Sequence, residues 1–230
     1  MYKNSIYDSS KIIDNYYCVI DNIKLAAKKV NRDPDKVKLI VVSKTYSQES
    51  IIPLLEIGHR DFGENRVQEA EDKWNTLRVS YPDITLHLIG HLQTNKAKKA
   101  LEIFDTIHSL DRTKLINELN KNIQHPSRRT KEFLLEVNLG NEVQKNGILT
   151  DDLNNIISKL KDVSFLKCDG LMCIPPFGEE PSLYFALLKK IADENNISHL
   201  SMGMSSDYQK AIEFGATFVR VGSEIFGKRA

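Results

Sequence analysis

Short apolar segments alternate with helical patterns along almost the whole chain, and this alternation is what most restricts the fold. The first segment, Val37 to Val42, is rich in β-branched residues, as expected of a strand that is buried on both faces of a parallel sheet. Seven more strand candidates follow, of which Asp61 to Asn65 is a short strand or a strand end. They predict strands at 61–65, 84–90, 104–109, 133–139, 168–174, 197–202 and 217–221.

Eight strands interleaved with helices in 230 residues predict an α/β fold, a single (β/α)8 TIM-type barrel over residues 1–230. Residues 1–33 hold an extra N-terminal helix, which we expect to pack on the barrel. The main alternative is an open doubly wound sheet, which needs fewer strands and a glycine-rich turn after the first one. The residues at that turn here are Ser43-Lys44-Thr45, which include no glycine, so the pattern favours the barrel.

The charge balance excludes some classes of partner. Lys plus Arg (32) nearly equals Asp plus Glu (31), so we expect no binding to nucleic acid or to an anionic membrane. No segment reaches the roughly 18 apolar residues of a membrane span, and a cytoplasmic protein is expected. The three cysteines lack zinc spacing, and a strand ends between His87 and His91, so we predict no metal site.

Lys44 directly follows the first strand. The carboxyl ends of parallel strands form the rim where ligands bind in barrels, because loops and helix N-termini gather there. An amine held against an apolar wall loses part of its charge solvation and becomes easier to use as a nucleophile. A solvated surface lysine is the alternative interpretation of the same position.

The last two strands end in segments suited to an anion. Residues 203–206, Gly-Met-Ser-Ser, and then Gly222 and Ser223 offer backbone N–H groups and hydroxyls where barrels often bind phosphate. The alternative is that these residues only cap helices and form turns. Ser206 with Gln209 is a predicted capping box, and Asp111 is a predicted cap of an earlier helix. Arg220, inside the eighth strand, is expected to face the barrel mouth.

Six segments together resemble one family. The chain is similar to the pyridoxal 5′-phosphate homeostasis proteins, small single-domain relatives of the alanine racemase amino-terminal barrel. The resemblance spans almost the whole chain after the first helix and is carried by VVSKTY (41–46), DFGENRVQE (61–69), HLIGHLQTNK (87–96), GLMCIPP (170–176), LSMGMSSDYQKAI (200–212) and VRVGSEIFG (219–227).

The resemblance implies pyridoxal 5′-phosphate as cofactor and a Schiff base between its aldehyde and Lys44. It implies a phosphate site made of Ser205, Gly222 and Ser223, with Arg220 beside the pyridine nitrogen. Asn65 and Met204 would line the pocket. No catalytic residue is implied.

The implied role is cofactor homeostasis: the protein holds the cofactor reversibly and buffers its concentration with little or no turnover. Delivery to apoenzymes stays open, and a monomer is expected. The alternative is an enzyme, either an amino-acid racemase or a Schiff-base aldolase acting on a sugar phosphate. Racemases of this type also use a tyrosine base from a second domain, which this chain does not have residues to build.

Three residues depart from the usual pattern of the family. Pro53 interrupts the helix after Lys44, which predicts either a late start near Ser50 or a kink. Glu136 lies in the fifth strand, and Cys173 stands near the rim. None of the three is among the predicted ligands.

Overall fold

The computed structural model describes residues 9–162 and 166–227, with only the backbone at 161 and 162. The predicted domain span of 1–230 therefore includes three short stretches, 1–8, 163–165 and 228–230, that lie outside the described residues.

A closed ring of eight parallel strands forms the centre of the molecule. The ring order is β1-β2-β3-β4-β5-β7-β8-β9, and β9 pairs back onto β1. This confirms the predicted (β/α)8 barrel, and each predicted strand is found within two residues of its expected ends. A short extra strand, β6, pairs with β5 outside the ring and was not predicted. The strands are β1 Lys38–Val42, β2 Asp61–Glu64, β3 Thr85–Leu88, β4 Thr106–Leu110, β5 Glu132–Asn138, β6 Ile148–Leu149, β7 Gly170–Met172, β8 His199–Met204 and β9 Phe218–Val221.

Helices follow the strands and cover the outside of the ring. They are α1 Ser9–Lys29, α2 Gln48–Glu56, α3 Val67–Ser80, α4 Ala97–Ile103, α5 Thr113–Asn122, α6 Thr150–Asp162, α7 Pro181–Glu194, α8 Tyr208–Glu213 and α9 Ser223–Phe226, with 3-10 turns at Pro34–Lys36 and Thr94–Lys96. The late start of α2 near Ser50 is wrong, because the helix begins at Gln48 and contains Pro53. Pro53 lies in the second turn, so its missing N–H leaves only the Glu49 carbonyl without an intrahelical donor.

The first helix packs against α8, α9 and α2. Its apolar residues recur every three or four positions, which places Val19, Ile23 and Ala27 on one buried face. Polar contacts add to this packing: Asn15 donates to the Ile225 carbonyl over 2.9 Å, the Tyr16 hydroxyl lies 3.3 Å from His59 Nδ1, and Lys29 Nζ lies 2.6 Å from Glu213 Oε1. In the part of the chain that the structure describes, no helix has both the length and the apolar character needed to cross a membrane.

The core has two compartments. The larger one lies between the strands and the helices, and the smaller one fills the inside of the barrel with Ile40, Leu134, Met172 and Phe218. Since side chains alternate along a strand, these four residues identify the inward positions of β1, β5, β7 and β9. The residues two positions further along each strand therefore point into the barrel mouth.

Candidate functional site

Lys44 lies two residues beyond the end of β1, at the carboxyl rim of the barrel. Ile40 points into the barrel, and alternation brings Val42 to the inner side of the rim just before the turn that carries Lys44. The Lys44 side chain is half-buried. The lysine therefore stands at the barrel mouth, partly shielded from water.

The loops after β8 and β9 meet beside the end of β1. The Gly222 N–H donates to Ser205 Oγ over 3.3 Å. A side chain at residue 222 would have little room, because a Cβ there would lie 3.1 Å from the Val42 carbonyl oxygen. Gly222 thus presents bare backbone to the strand that leads to Lys44. Ser223, the next residue, is exposed at the start of α9.

The turn between β8 and α8 is held by Asp207. The Met204 N–H donates to Asp207 Oδ1 over 2.6 Å, and the Asp207 N–H donates to the Met204 carbonyl over 3.0 Å. The predicted capping box of Ser206 and Gln209 is wrong: α8 begins at Tyr208 with Asp207 at the N-cap, so Ser206 lies one residue too early. The Met204 side chain is 36% exposed at this rim.

Arg220 lies inside the barrel and is only 4% exposed. Its Nη1 donates to Ser201 Oγ over 2.7 Å, and its Nη2 donates to the Cys173 carbonyl over 3.0 Å. Burial lowers the pKa of Arg220. Register pairing sets Arg220 opposite Ile40 of β1, one layer deeper than Gly222. The guanidinium is therefore fixed in the floor of the mouth.

Asn65 follows β2, on the other side of β1 from Gly222. It is half-buried, and the loop after β3 packs closely against it, because a Cβ at Gly90 would lie 2.5 Å from the Asn65 carbonyl oxygen. The rim therefore places Asn65, Lys44 and Gly222 on three consecutive strands of the ring.

Glu136 is an ionisable residue inside the barrel. It follows Leu134 by two residues in β5, so it points inward toward the mouth. The pKa of Glu136 is raised to about 7, chiefly by burial and also by the nearby charge of Asp111, while Arg220 opposes the rise. Cys173 lies in the outer core, where burial raises the pKa of its thiol to about 12. The Cys173 thiol is therefore a poor nucleophile at neutral pH.

Asp111 does not cap α5, contrary to the prediction. The N-cap residue is Arg112, and it makes no side-chain capping bond. Asp111 Oδ2 instead lies 2.7 Å from His91 Nδ1, and Arg112 Nη1 donates to Asp111 Oδ1 over 2.5 Å. His87 points elsewhere and contacts His108. Among the described residues, no group of three or more His, Cys, Asp or Glu side chains is arranged to hold a metal ion.

Two buried charged residues behind Lys44 were missed by sequence reasoning. Glu64 is fully buried at the end of β2, and Lys73 of α3 is 6% exposed, with their charged atoms 3.0 Å apart. Burial raises the pKa of Glu64, while Lys73, Ser43 and Trp74 lower it. The only signal in the sequence was the helical spacing of Lys73 from Glu69, which is common on solvated helix surfaces.

Known proteins of two kinds match this chain. The family model described as alanine racemase, N-terminal domain, matches residues 18–230. The pyridoxal phosphate homeostasis protein of Aquifex aeolicus is 38% identical over 220 residues, which cover 92% of this chain and 95% of that protein. The protein of the same name from Vibrio alginolyticus is 36% identical over 231 residues, covering 96% and 98%.

The chain belongs to the pyridoxal phosphate homeostasis protein family. This confirms the family predicted from the six sequence segments. Among solved structures, PipY of Synechococcus elongatus PCC7942 with PLP bound is similar at a TM-score of 0.78 and 36% identity. The match covers 90% of this chain and 100% of PipY, so this family member shares the barrel over its full length.

Proposed function

We propose that this chain binds pyridoxal 5′-phosphate at the barrel mouth and holds it reversibly as a Schiff base on Lys44. One observation carries the proposal: Gly222 packs against the end of the strand that leads to Lys44, and its N–H contacts Ser205 of the next loop. The relatives support this ligand, because they are named for pyridoxal phosphate homeostasis and PipY was solved with PLP bound.

The residues of the rim fit the phosphate of this cofactor. A phosphate dianion is bound best by backbone N–H groups and hydroxyls. Ser223 offers an N–H group, and the Ser205 hydroxyl keeps its own proton to donate while its oxygen accepts the Gly222 N–H. A bound phosphate would compete with Ser205 Oγ for that Gly222 N–H. Asp207 Oδ1 accepts the Met204 N–H. Gly222 has no side chain, so an anion can approach its backbone.

Lys44 would supply the covalent bond. Its uncharged Nζ adds to the aldehyde carbon, a C=N bond forms, and the aldehyde oxygen leaves as water, so no oxidant or reductant is consumed. Hydrolysis reverses the step and returns the free amine and the free aldehyde. The same residue thus both captures and releases the cofactor.

Arg220 would lie beside the pyridine nitrogen, with Asn65 and Met204 lining the pocket. A guanidinium is a donor without an acceptor site, so it leaves the ring nitrogen unprotonated and makes the cofactor a weak electron sink. Ser201 and the Cys173 carbonyl hold Arg220 in place for this role. We propose a cytoplasmic, monomeric protein that buffers the cofactor with little or no turnover and that can pass it to apoenzymes.

An enzyme is the second candidate, and Glu136 is the observation in its favour. Burial raises the pKa of this half-buried carboxyl to about 7, in the range that suits a general acid–base. A racemase would turn over amino acids, and a Schiff-base aldolase would cleave a sugar phosphate. Assays with both substrate classes separate this candidate from the buffer, which binds and releases the cofactor without turnover.

The test is the absorbance of the purified protein with added pyridoxal phosphate, followed by borohydride reduction and peptide mapping. We expect a visible Schiff-base band, with the label trapped on Lys44. Lys44→Ala should lose both band and label, whereas Lys98→Ala, an exposed lysine of α4, should keep them. Label spread over surface lysines, or an unchanged band in Lys44→Ala, would overturn the proposal.

A further inference from the structure

The backbone around Lys44 forms a turn that its own residues do not favour. Thr45 has a φ of 69°, in the left-handed region that β-branched residues rarely adopt. The Tyr46 N–H donates to the Ser43 carbonyl over 3.2 Å and closes the turn around Lys44. A conformation of this kind persists only where surrounding contacts impose it.

Side chains from β2 and α3 hold both residues that flank Lys44. On one side, Lys73 Nζ donates to the Ser43 carbonyl over 2.8 Å, and Ser43 Oγ donates to Glu64 Oε1 over 2.7 Å. On the other side, the Thr45 N–H donates to Glu69 Oε1. The turn is therefore fixed before and after Lys44 by one cluster.

Lys73 connects the two sides of this cluster. Its ammonium lies 3.0 Å from Glu64 Oε1 and 3.2 Å from Glu69 Oε1, in addition to its bond to Ser43. An ammonium group has three N–H donors, so these three acceptors use all of them and fix its direction. Trp74 Nε1 also donates to Glu64 Oε1, over 3.1 Å, which holds that carboxylate from the helix side.

The cluster lies behind the rim and not inside the mouth. Phe62 and Trp74 pack together between β2 and α3, and Glu64 lies on the same outward face of β2 as Phe62. Lys73 is therefore outside the proposed cofactor pocket. Its link to that pocket runs through the backbone of Ser43 and Thr45.

We propose that Lys73 is a positioning residue for Lys44: together with Glu64 and Glu69 it imposes the strained turn that directs the Lys44 amine across the barrel mouth. This inference rests on the proposed function of Lys44 as the residue that binds the cofactor aldehyde. Removal of the Lys73 ammonium leaves the Ser43 carbonyl with the Tyr46 N–H alone and loosens Glu69, so Thr45 relaxes and the Lys44 amine loses its orientation.

The test compares Lys73→Met, which keeps most of the side-chain volume, with wild type and with Lys99→Met. Lys99 is a matched control, because it also binds two carboxylates, Glu71 and Glu102, but is 41% exposed. Amide hydrogen exchange of the cofactor-free protein reports on the turn directly. We expect exchange at Thr45 and Tyr46 to rise on the order of tenfold in Lys73→Met and to stay unchanged in Lys99→Met.

Two ligands then separate orientation from general damage. In Lys73→Met, pyridoxal phosphate should form its bond to Lys44 about tenfold more slowly than in wild type, because the Lys44 amine is no longer pre-oriented. Pyridoxine 5′-phosphate has no aldehyde, and its affinity should stay within about twofold of wild type. The inference would be overturned if Lys73→Met exchanged its amides and formed the bond at the same rates as wild type. It would also be overturned if binding of both ligands weakened equally.

Changes at Glu69 keep the inference testable if Lys73→Met does not fold. Glu69 is 22% exposed, so its replacement disturbs the core less. Glu69→Gln keeps an oxygen for the Thr45 N–H and should behave like wild type, whereas Glu69→Ala should show the faster exchange. If wild type itself forms no bond with pyridoxal phosphate, the proposed function fails, and the exchange experiment still decides whether the cluster fixes the turn.

Discussion

The Ser205 hydroxyl and the Gly222 N–H form a 3.3 Å hydrogen bond between residues 17 positions apart in the chain. It joins the loop after β8 to the loop after β9. Because β9 pairs with β1, the contact also sets both loops beside the strand that leads to Lys44. The proposed phosphate contacts and the proposed covalent contact are therefore held by one piece of the barrel wall.

The first prediction concerns the Ser205 hydroxyl. Ser205→Ala removes a proposed phosphate donor and the acceptor of the Gly222 N–H, so the affinity for pyridoxal phosphate should fall about tenfold, or about 1.4 kcal/mol. The affinity for pyridoxal, which has no phosphate, should not change. Equilibrium dialysis measures both constants, and Ser206→Ala serves as the neighbouring control. An equal loss for both ligands would show that Ser205 only supports the loop.

The barrel could be predicted because its signal is local. A strand buried on both faces is a short apolar run, and segments such as Val37 to Val42 carry this pattern without reference to the rest of the chain. The segment 61–65, Asp-Phe-Gly-Glu-Asn, is an exception. Parallel strands also share one rim, so Lys44, Ser205 and Gly222 could be expected at the same end of the barrel. The structure shows how near two of them are, through the contact of Ser205 with Gly222.

Contacts between distant side chains could not be predicted in this way. Asp111 matches the pattern of a helix cap, but it binds His91 instead, because the barrel brings the loops after β3 and β4 together. Its second oxygen accepts from the neighbouring Arg112. The left-handed Thr45 has no local signal either, since threonine is not a residue that favours that region. Its conformation depends on Lys73, 28 residues later in the chain.

The second prediction is a pH dependence at Glu136. Its pKa is about 7 in the folded protein against 4.5 for an ordinary glutamate, so the folded state binds the proton more tightly. The stability that this proton gives is fully present below pH 4.5 and is lost as the pH rises through 7. Relative to Glu136→Gln, wild type should lose on the order of 3 kcal/mol of unfolding free energy between pH 4.5 and pH 8.

Urea unfolding of both proteins at several pH values measures this difference. Glu132→Gln, in the same strand, is the control for replacing a glutamate of β5 by glutamine. A difference between wild type and Glu136→Gln that stays flat from pH 4.5 to 8 would mean that the Glu136 carboxyl ionises as it does in water. That result would also remove the observation that favours an enzyme.

The third prediction concerns His59, which joins α1 to the barrel. Its Nε2 lies 2.7 Å from the Asp61 carbonyl and its Nδ1 lies 3.3 Å from the Tyr16 hydroxyl, so a neutral ring donates to the first and accepts from the second. Burial lowers the pKa of His59 to about 4, from 6.5. The stability gained from the neutral ring is present above pH 6.5 and is lost as the pH falls through 4.

Acid should therefore weaken wild type more than His59→Gln, which has no titrating ring. Relative to His59→Gln, wild type should lose about 3 kcal/mol of unfolding free energy between pH 6.5 and pH 4, as the shift of the His59 pKa from 6.5 to about 4 requires. Urea unfolding at the two pH values measures it, with His125→Gln at a partly exposed histidine as control. Because His59 contacts Tyr16, the protection factors of the α1 amides, which correct for the intrinsic pH dependence of exchange, should fall from pH 6.5 to pH 4 in wild type. Protection factors that stay constant would show that the ring stays neutral, or that the other contacts of α1 hold the helix without His59.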